Sequence, residues 1–192
     1  IFAGQVILAV PSYRAADIVT DLSRPLAELS ASIRYAPISV VCEGYLRSKV
    51  RRNLDGFGFL APPKEGRRIL GSIWTSSIFE NRAPNGYVQF RTMIGGDGDH
   101  DSMMLSDEEL VGCVRADLNS IIGLDGPSDK VRVFRWRHGI PQFKVGHSGI
   151  VSAIEEHLRT LGNIHITGNA YYGIGLNDCV KQSYRVVDRL QQ

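Results

Sequence analysis

The most informative part of this chain is the stretch Gly168-Asn169-Ala170-Tyr171-Tyr172-Gly173-Ile174-Gly175-Leu176-Asn177-Asp178-Cys179-Val180. A short apolar segment, residues 164–167, precedes it, and a helix-like tail, residues 179–190, follows it. A strand, a glycine turn and a helix start bring backbone N–H groups and the positive end of a helix dipole to one point. Because glycine has no Cβ, the backbone of such a turn can touch a flat or anionic ligand. The stretch therefore predicts a ligand-binding turn.

The glycine spacing of this turn is G-x4-G-x-G. It differs from the G-x-G-x-x-G of a dinucleotide pyrophosphate turn, and no copy of that fingerprint followed by an acidic residue occurs in the chain. A spacing of this kind is also found in tight strand–helix connections that bind nothing. The residues between the glycines make the pattern more specific than the spacing alone.

Further blocks lie upstream in a fixed order. They are Gly56-Phe57-Gly58-Phe59-Leu60-Ala61-Pro62, residues 69–77, Arg82-Ala83-Pro84, Arg91-Thr92-Met93-Ile94-Gly95-Gly96, Arg135-Trp136, residues 140–143 and Gly146-His147. Together with the C-terminal glycine turn, they resemble the oxygen-dependent protoporphyrinogen oxidase family of the flavin-containing amine oxidase superfamily. The resemblance covers most of the chain.

The resemblance implies an α/β (α+β) fold with three segments. Residues 1–36 and 135–192 are expected to belong to an FAD-binding domain, and residues 37–134 to a substrate domain with a mixed or antiparallel sheet and helices. The family binds the ADP half of FAD through an N-terminal βαβ unit, which is not recognisable here. The chain is therefore expected to be a C-terminal fragment that needs the N-terminal half as its partner and is inactive alone.

The resemblance also implies the chemistry, namely FAD-dependent oxidation of protoporphyrinogen IX to protoporphyrin IX in haem biosynthesis, with molecular oxygen as acceptor. Flavin contact is expected from Trp136, Asn169, Gly173, Ile174, Gly175 and Leu176. Contact with the porphyrinogen is expected from Phe57, Leu60, Ile73 and Met93. Large apolar side chains suit a tetrapyrrole ring, although the same residue types on adjacent strands ordinarily form core. No catalytic acid or base is assigned, and no metal site is expected.

Two alternatives remain open. One is the same chemistry on coproporphyrinogen III, which carries more carboxylates. The other is a flavin-less domain that serves only in binding.

Composition is that of an ordinary globular protein: 192 residues, 43% hydrophobic, 22% charged and a net charge of +2. The small net charge gives no reason to expect a nucleic-acid partner. Three widely spaced cysteines indicate a reducing compartment without a disulfide framework. The expected location is cytoplasmic. The resemblance implies a membrane-contacting region upstream of these residues, so peripheral attachment to a membrane stays an open alternative.

Local patterns predict the elements near the N-terminus. Residues 6–10 form an apolar run ended by Pro11, which is typical of a strand buried on both faces in a parallel sheet. Ser12 is a candidate cap for a helix that reaches about residue 22, and Ser23 with Pro25 starts a shorter one.

The remaining elements follow from turn residues and apolar periodicity. Strands are predicted at residues 38–42, 56–60, 69–75, 87–94 and 131–137, and their succession favours antiparallel pairing. Ser106 and Glu109 form a capping box ahead of an amphipathic helix. Another helix is predicted from Ser148 to the glycine at position 162.

Overall fold

The computed structural model describes residues 2–191, and these form seven strands and six α-helices. In chain order they are β1 (Val6–Leu8), α1 (Ser12–Val19), α2 (Arg24–Ala31), β2 (Tyr35–Leu46), β3 (Gly58–Leu60), β4 (Ile69–Trp74), α3 (Thr75–Ile78), β5 (Tyr87–Gly95), α4 (Asp107–Ile122), β6 (Lys130–Pro141), α5 (His147–Leu161), β7 (Ile164–Ile166) and α6 (Leu176–Leu190). The predicted α/β class is confirmed. None of the helices described is both long and apolar enough to cross a lipid bilayer.

Two compact units make up the chain. One comprises Ile1–Tyr35 with Ile140–Gln192, and the other comprises Ala36–Gly139. The expected boundary between residues 134 and 135 falls inside β6, which runs to Pro141 and so extends beyond its predicted end at Arg137. The two units divide between Gly139 and Ile140. The first boundary lies one residue from the expected position.

The first unit is built on a two-stranded parallel sheet in which Val6 pairs with Ile164 and Leu8 with Ile166. Its core combines the inner faces of the helices with the strands and the turn after β7, and contains Leu8, Ala15, Val19, Leu26, Val151, Ile154, Ile166 and Tyr171. The parallel pairing agrees with the sequence pattern. The prediction that both faces of the first strand are buried is wrong, because Ile7, whose side chain points to the face opposite Leu8, is 45% exposed.

The two N-terminal helices test the cap predictions. Ser23 caps α2 as predicted, since its side chain accepts a hydrogen bond from the N–H of Leu26. Ser12 does not cap α1: the cap position is Pro11, and the Ser12 N–H instead donates to the Tyr35 hydroxyl at 3.0 Å. The helix also ends at Val19 rather than near residue 22. A tertiary partner thus supplies the contact that a local cap would have supplied.

The second unit contains a five-stranded sheet in the order β3-β4-β5-β2-β6. The pairs β2/β5, β3/β4 and β4/β5 are antiparallel, which confirms the predicted arrangement. Helix α4 packs on one face of this sheet, and the resulting core contains Val41, Tyr45, Ile69, Trp74, Phe90, Ile94, Leu110, Val114, Leu118 and Ile122. This helix therefore defines which face of the sheet is closed.

A buried ionic cluster lies in the closed side of this unit. Glu43, almost completely buried, accepts hydrogen bonds on Oε1 from Arg115 Nε at 3.0 Å and from the Tyr45 hydroxyl at 3.1 Å. Arg115 also donates to the Ser128 hydroxyl at 2.6 Å. Burial, followed by the negative charge of Glu43, raises the pKa of Tyr45, so its hydroxyl stays protonated and continues to donate.

Helix α4 begins with the predicted capping box. The Ser106 side chain accepts from the Glu109 N–H at 3.2 Å, and Glu109 Oε2 accepts from the Ser106 N–H at 2.7 Å. These hydrogen bonds lower the pKa of Glu109. Replacing Ser106 with alanine should cost about 1 kcal/mol in free energy of unfolding, measured by urea titration. Ser152→Ala, at an exposed position within α5, is the control, and equal losses from both variants would contradict the capping role.

Candidate functional site

The first candidate site lies where the two parallel strands of the first unit end. Because β1 and β7 run in the same direction, their carboxyl ends meet at one edge, which is where ligands bind in parallel sheets. The N–H of Thr167 donates to the carbonyl of Leu8 at 3.0 Å across this edge. Two buried hydroxyls follow the strands without a hydrogen-bond partner among the described residues, Ser12 Oγ and Thr167 Oγ1. Unsatisfied buried polar atoms are rare and point to a missing partner.

The glycine turn connects this edge to α6. Gly168 has a φ of 125°, a value that a side chain rarely permits. Helix α6 begins at Leu176, three residues earlier than the predicted start at Cys179, and its cap residue is Gly175. No side chain caps the helix, so the N–H groups of its first turn face outward with the positive end of the dipole. The flanking side chains are exposed, Ile174 partly and Leu176 at 81%.

The turn also contains a carboxylate. A Cβ on Gly173 would lie 2.6 Å from the Asp178 side chain, and a Cβ on Gly175 would lie 2.9 Å from Asp178 Oδ2. Asp178 is in the first turn of α6, where its negative charge already favours the helix dipole. Local packing against the Asp178 side chain therefore favours glycine at position 173, whether or not a ligand is bound. A Cβ at position 175 would approach only the carboxylate end of Asp178, which a change of rotamer can move away.

Contacts on the inner side hold the turn in place. Asn169 is half-buried, and Ala170 and Tyr171 belong to the core of the unit. His147, at the start of α5, places Nε2 3.2 Å from the carbonyl oxygen of Tyr171 and stacks on Phe143 at 4.0 Å between ring centroids. The His147 ring thus holds the backbone of the turn in place at Tyr171.

A flavin fits this arrangement. Its pyrimidine edge gains negative charge on reduction, and an uncapped helix N-terminus stabilises charge at that position. The exposed apolar side chains beside the turn suit a flat ring, and the two orphaned hydroxyls at the strand ends can donate to it. The residues that could hold the group are Asn169, Gly173, Ile174, Gly175 and Leu176.

The second candidate site is the open face of the five-stranded sheet. Along β5, residues Val88, Phe90, Thr92 and Ile94 are buried against the core, and the side chains between them alternate to the other face. Met93 pairs with Gly71 of β4, and Leu60 of β3 pairs with the same glycine from the other side. Ile73 lies two residues further along β4. Leu60, Ile73 and Met93 therefore share the open face.

Phe57 is placed differently from the other three predicted substrate contacts. It precedes β3, and its carbonyl accepts a hydrogen bond from the N–H of Trp74 at 2.9 Å. This register pairs it with Trp74, whose side chain belongs to the closed face. The Phe57 ring is nevertheless 78% exposed, so it does not join the core.

A groove of ≈ 410 Å³ runs over the open face of this unit. Val40, Phe134 and Trp136 supply apolar walls, and Arg91 and Arg82 supply positive charge. Trp136, predicted as a flavin contact, thus lies on β6 in the second unit, whereas the other five predicted flavin residues lie in the first.

The two arginines were not singled out by the sequence analysis. Arg91 is two residues from Met93 on a strand, and strand periodicity alone would have placed both side chains on one face. Arg82 lies in the turn region ahead of β5, where no periodic signal exists. Its position in the groove is visible only in the folded chain.

The architecture agrees with comparisons against known proteins. The chain belongs to the family described as flavin containing amine oxidoreductase, whose model matches residues 1–191. It is similar to protoporphyrinogen oxidase 1, chloroplastic, of Arabidopsis thaliana, with 33% identity over 190 residues. That match covers 94% of this chain and 35% of the relative.

A bacterial relative is named for a different substrate, coproporphyrinogen III. The coproporphyrinogen III oxidase of Bacillus subtilis (strain 168) is 26% identical over 186 residues, which cover 96% of this chain and 39% of that protein. The chain thus spans between a third and two fifths of the length of these relatives.

Solved structures show the same fold. One match is the crystal structure of a protein from Exiguobacterium sp. 255-15 that is provisionally named protoporphyrinogen oxidase, with a TM-score of 0.78 and 24% identity. It is covered to 42% by the whole of this chain. Cyclohexylamine oxidase from Brevibacterium oxydans IH-35A matches with a TM-score of 0.64 and 14% identity, covering 98% of this chain and 43% of that one. At these identities the structures bear on the fold alone.

Proposed function

We propose that this protein takes part in the FAD-dependent oxidation of a porphyrinogen to a porphyrin, with molecular oxygen as electron acceptor. The observation that carries the proposal is the similarity to protoporphyrinogen oxidases along 94% of the chain. The apolar open face of the second unit supports it, because a tetrapyrrole is held mainly by apolar contact. When bound, FAD supplies the hydride-accepting chemistry.

The glycine turn serves the cofactor in this proposal. The N–H groups at Ile174, Gly175 and Leu176 would hold the flavin and would stabilise the negative charge that it gains on reduction. Ile174 and Leu176 shield the ring edge from water. Asp178, on the same turn, limits how much negative charge the turn can accept.

The open face serves the substrate. Leu60, Ile73 and Met93 would offer apolar surface to the macrocycle on the open face, where the exposed Trp136 also lies. Phe57 is exposed but in register with Trp74 of the closed face, and its contact with the substrate stays a prediction. We propose no general acid or base, because the described residues that line the groove include no aspartate, glutamate, histidine, lysine or tyrosine. The chain spans 35% of the length of the Arabidopsis thaliana relative, and we propose that residues 1–192 alone bind FAD weakly and are inactive.

Protoporphyrinogen IX is the first candidate substrate and coproporphyrinogen III the second. The second is favoured by the similarity to the Bacillus subtilis relative and by the two arginines in the groove.

The deciding experiment uses the full-length flavin-loaded protein. Porphyrin fluorescence should rise when either porphyrinogen is supplied in air, with matching oxygen consumption, and should not rise without oxygen. The ratio of kcat/KM for the two substrates decides between them. A flavin-loaded protein that oxidises neither porphyrinogen overturns the proposal, and a full-length protein that binds no flavin supports a binding domain instead.

A prediction for the cofactor turn concerns Gly175. Its φ of −65° suits any residue, and an added Cβ meets only Asp178 Oδ2, so valine should cost little stability. The side chain would nevertheless occupy the space over the N–H groups. In the full-length protein we expect Gly175→Val to weaken FAD binding at least about tenfold, equivalent to about 1.4 kcal/mol, as measured by flavin release and absorbance.

The control for this variant is Gly112→Val, which changes a glycine in α4 that has no heavy atom within 4 Å of an added Cβ. It should retain full flavin content. Undiminished FAD binding by Gly175→Val would show that the turn is only a strand–helix connection.

A further inference from the structure

Arg91 occupies the middle of the open sheet face. Its register partners are Cys42 on β2 and Ile73 on β4, and Met93 and Gln89 lie two residues away on the same strand. The apolar residues Ile73, Met93 and Val40 are its neighbours on this face of the sheet, and the Arg91 side chain is exposed. A guanidinium group at the centre of such a surface is unusual, because charged side chains are normally placed at the rim.

The charge of Arg91 is not neutralised by the described part of the chain. Arg51, Arg67, Arg68, Arg115 and Arg135 each pair with an aspartate or glutamate. Within residues 2–191, Arg91 has no such partner, and none of the side chains lining its groove is acidic. Burial raises the pKa of the neighbouring Cys42 thiol, even though Arg91 opposes the shift, so the thiol stays neutral.

Other groups in the groove match an anionic ligand with a large apolar body. Arg82 is a second guanidinium without a carboxylate partner among the described residues, and it lies over the Phe79 ring at 5.5 Å. Thr75 also lines the groove, and its buried Oγ1 has no hydrogen-bond partner in the described structure. The groove therefore combines apolar walls with unsatisfied cationic and polar groups.

We infer that Arg91 binds a carboxylate of the substrate, and that Arg82 binds a second one, so that this groove selects a flat macrocycle by the acidic groups at its rim. The inference rests on the proposed function and extends it to specificity. A guanidinium binds a carboxylate through two parallel hydrogen bonds, which fixes orientation as well as adding affinity. The apolar surface alone would hold the ring without fixing its rotation in the groove.

The test compares Arg91→Leu, Arg91→Lys and the control Arg137→Leu in the full-length flavin-loaded protein. Arg137 is an exposed arginine of β6 that alternates to the face opposite Trp136. The probe is coproporphyrin III, with its tetramethyl ester in the same detergent as a carboxylate-free counterpart. Binding is followed by the shift of the porphyrin absorbance band, and turnover by KM and kcat on the preferred porphyrinogen.

Arg91→Leu should weaken coproporphyrin III binding and raise KM at least about tenfold, with little change in kcat. Binding of the ester should be unchanged. Arg91→Lys should recover part of the loss, because it keeps the charge without the paired geometry. Arg137→Leu should match the wild type.

Equal binding of the acid and the ester by the wild type, or unchanged KM and binding in Arg91→Leu, overturns the inference. Absence of turnover in the wild type is a separate result that overturns the proposed function. A protein that binds coproporphyrin III through Arg91 without oxidising any porphyrinogen would keep the inference while removing the proposed function.

Discussion

Replacing Arg115 with methionine should lower the free energy of unfolding by about 3 kcal/mol. The substitution leaves the carboxylate of Glu43 without its cation in a side chain that is fully buried. Glu43 Oε2 has no hydrogen-bond partner among the described residues, so after the substitution the Tyr45 hydroxyl is the described side chain that still donates to this carboxylate. We place the expected loss at the lower end of the range for buried ion pairs, because the Arg115 side chain is itself 33% exposed.

Urea unfolding followed by fluorescence of the buried Trp74 measures this effect. The matched control is Arg51→Met, whose partner Asp125 and whose own side chain are largely exposed, and it should change the free energy of unfolding far less than Arg115→Met. Combining Arg115→Met with Glu43→Gln should recover part of the stability, since no unpaired charge then remains buried. Similar losses from Arg115→Met and Arg51→Met would show that burial of Glu43 does not govern the pair.

Replacing Gly58 with alanine should lower the free energy of unfolding by about 2–5 kcal/mol, from backbone strain and steric overlap together. Gly58 has a φ of 127°, and an added Cβ would lie 2.0 Å from the backbone oxygen of Ser72. Because the clash is with backbone, no rotamer change can relieve it. The edge strand β3 must move, and the pairing of Leu60 with Gly71 is lost with it.

Two measurements separate this local effect from general loss of stability. Hydrogen exchange should accelerate at the Ala61 N–H, which donates to the Leu70 carbonyl across the β3–β4 pair. If the proposed function holds, KM for the proposed porphyrinogen substrate should also rise, because Leu60 leaves the open face. Gly56→Ala is the control, since its Cβ would meet only the Trp74 ring at an ordinary 3.7 Å. Unchanged stability and exchange in Gly58→Ala would contradict the assigned strand geometry.

Local signals in the sequence were sufficient where the physical cause is itself local. The capping box at Ser106 and Glu109 forms as predicted, and so does the Ser23 cap of α2. The α1 cap failed because the Tyr35 hydroxyl, 23 residues away, binds the Ser12 N–H instead. The start of α6 was placed three residues late, since the exposed Leu176 and Asn177 carry no apolar periodicity that would mark a helix.

The candidate site divides in the same way. The glycine turn after β7 was recognised from its glycines, and the structure adds that the Asp178 side chain lies close to Gly173, which is a packing reason for that glycine. The assignment of flavin and substrate contacts to individual residues stays a prediction. Arg91 lies in one of the sequence blocks that resemble the family, residues 91–96, but its type predicts no role, because a single charged residue on a strand is ordinarily exposed to solvent.

The sequence alone was enough to identify the family, the α/β class and the antiparallel pairing of the strands in the second unit. The physical reason is that glycine spacing, caps and apolar periodicity act within a few residues of one another. Tertiary structure decided which face of the five-stranded sheet α4 covers, and with it the exposure of Leu60, Ile73 and Met93. Strand periodicity sorts side chains into two faces, but only packing between distant segments selects the buried one, and that selection left Arg91 unpaired in an apolar groove.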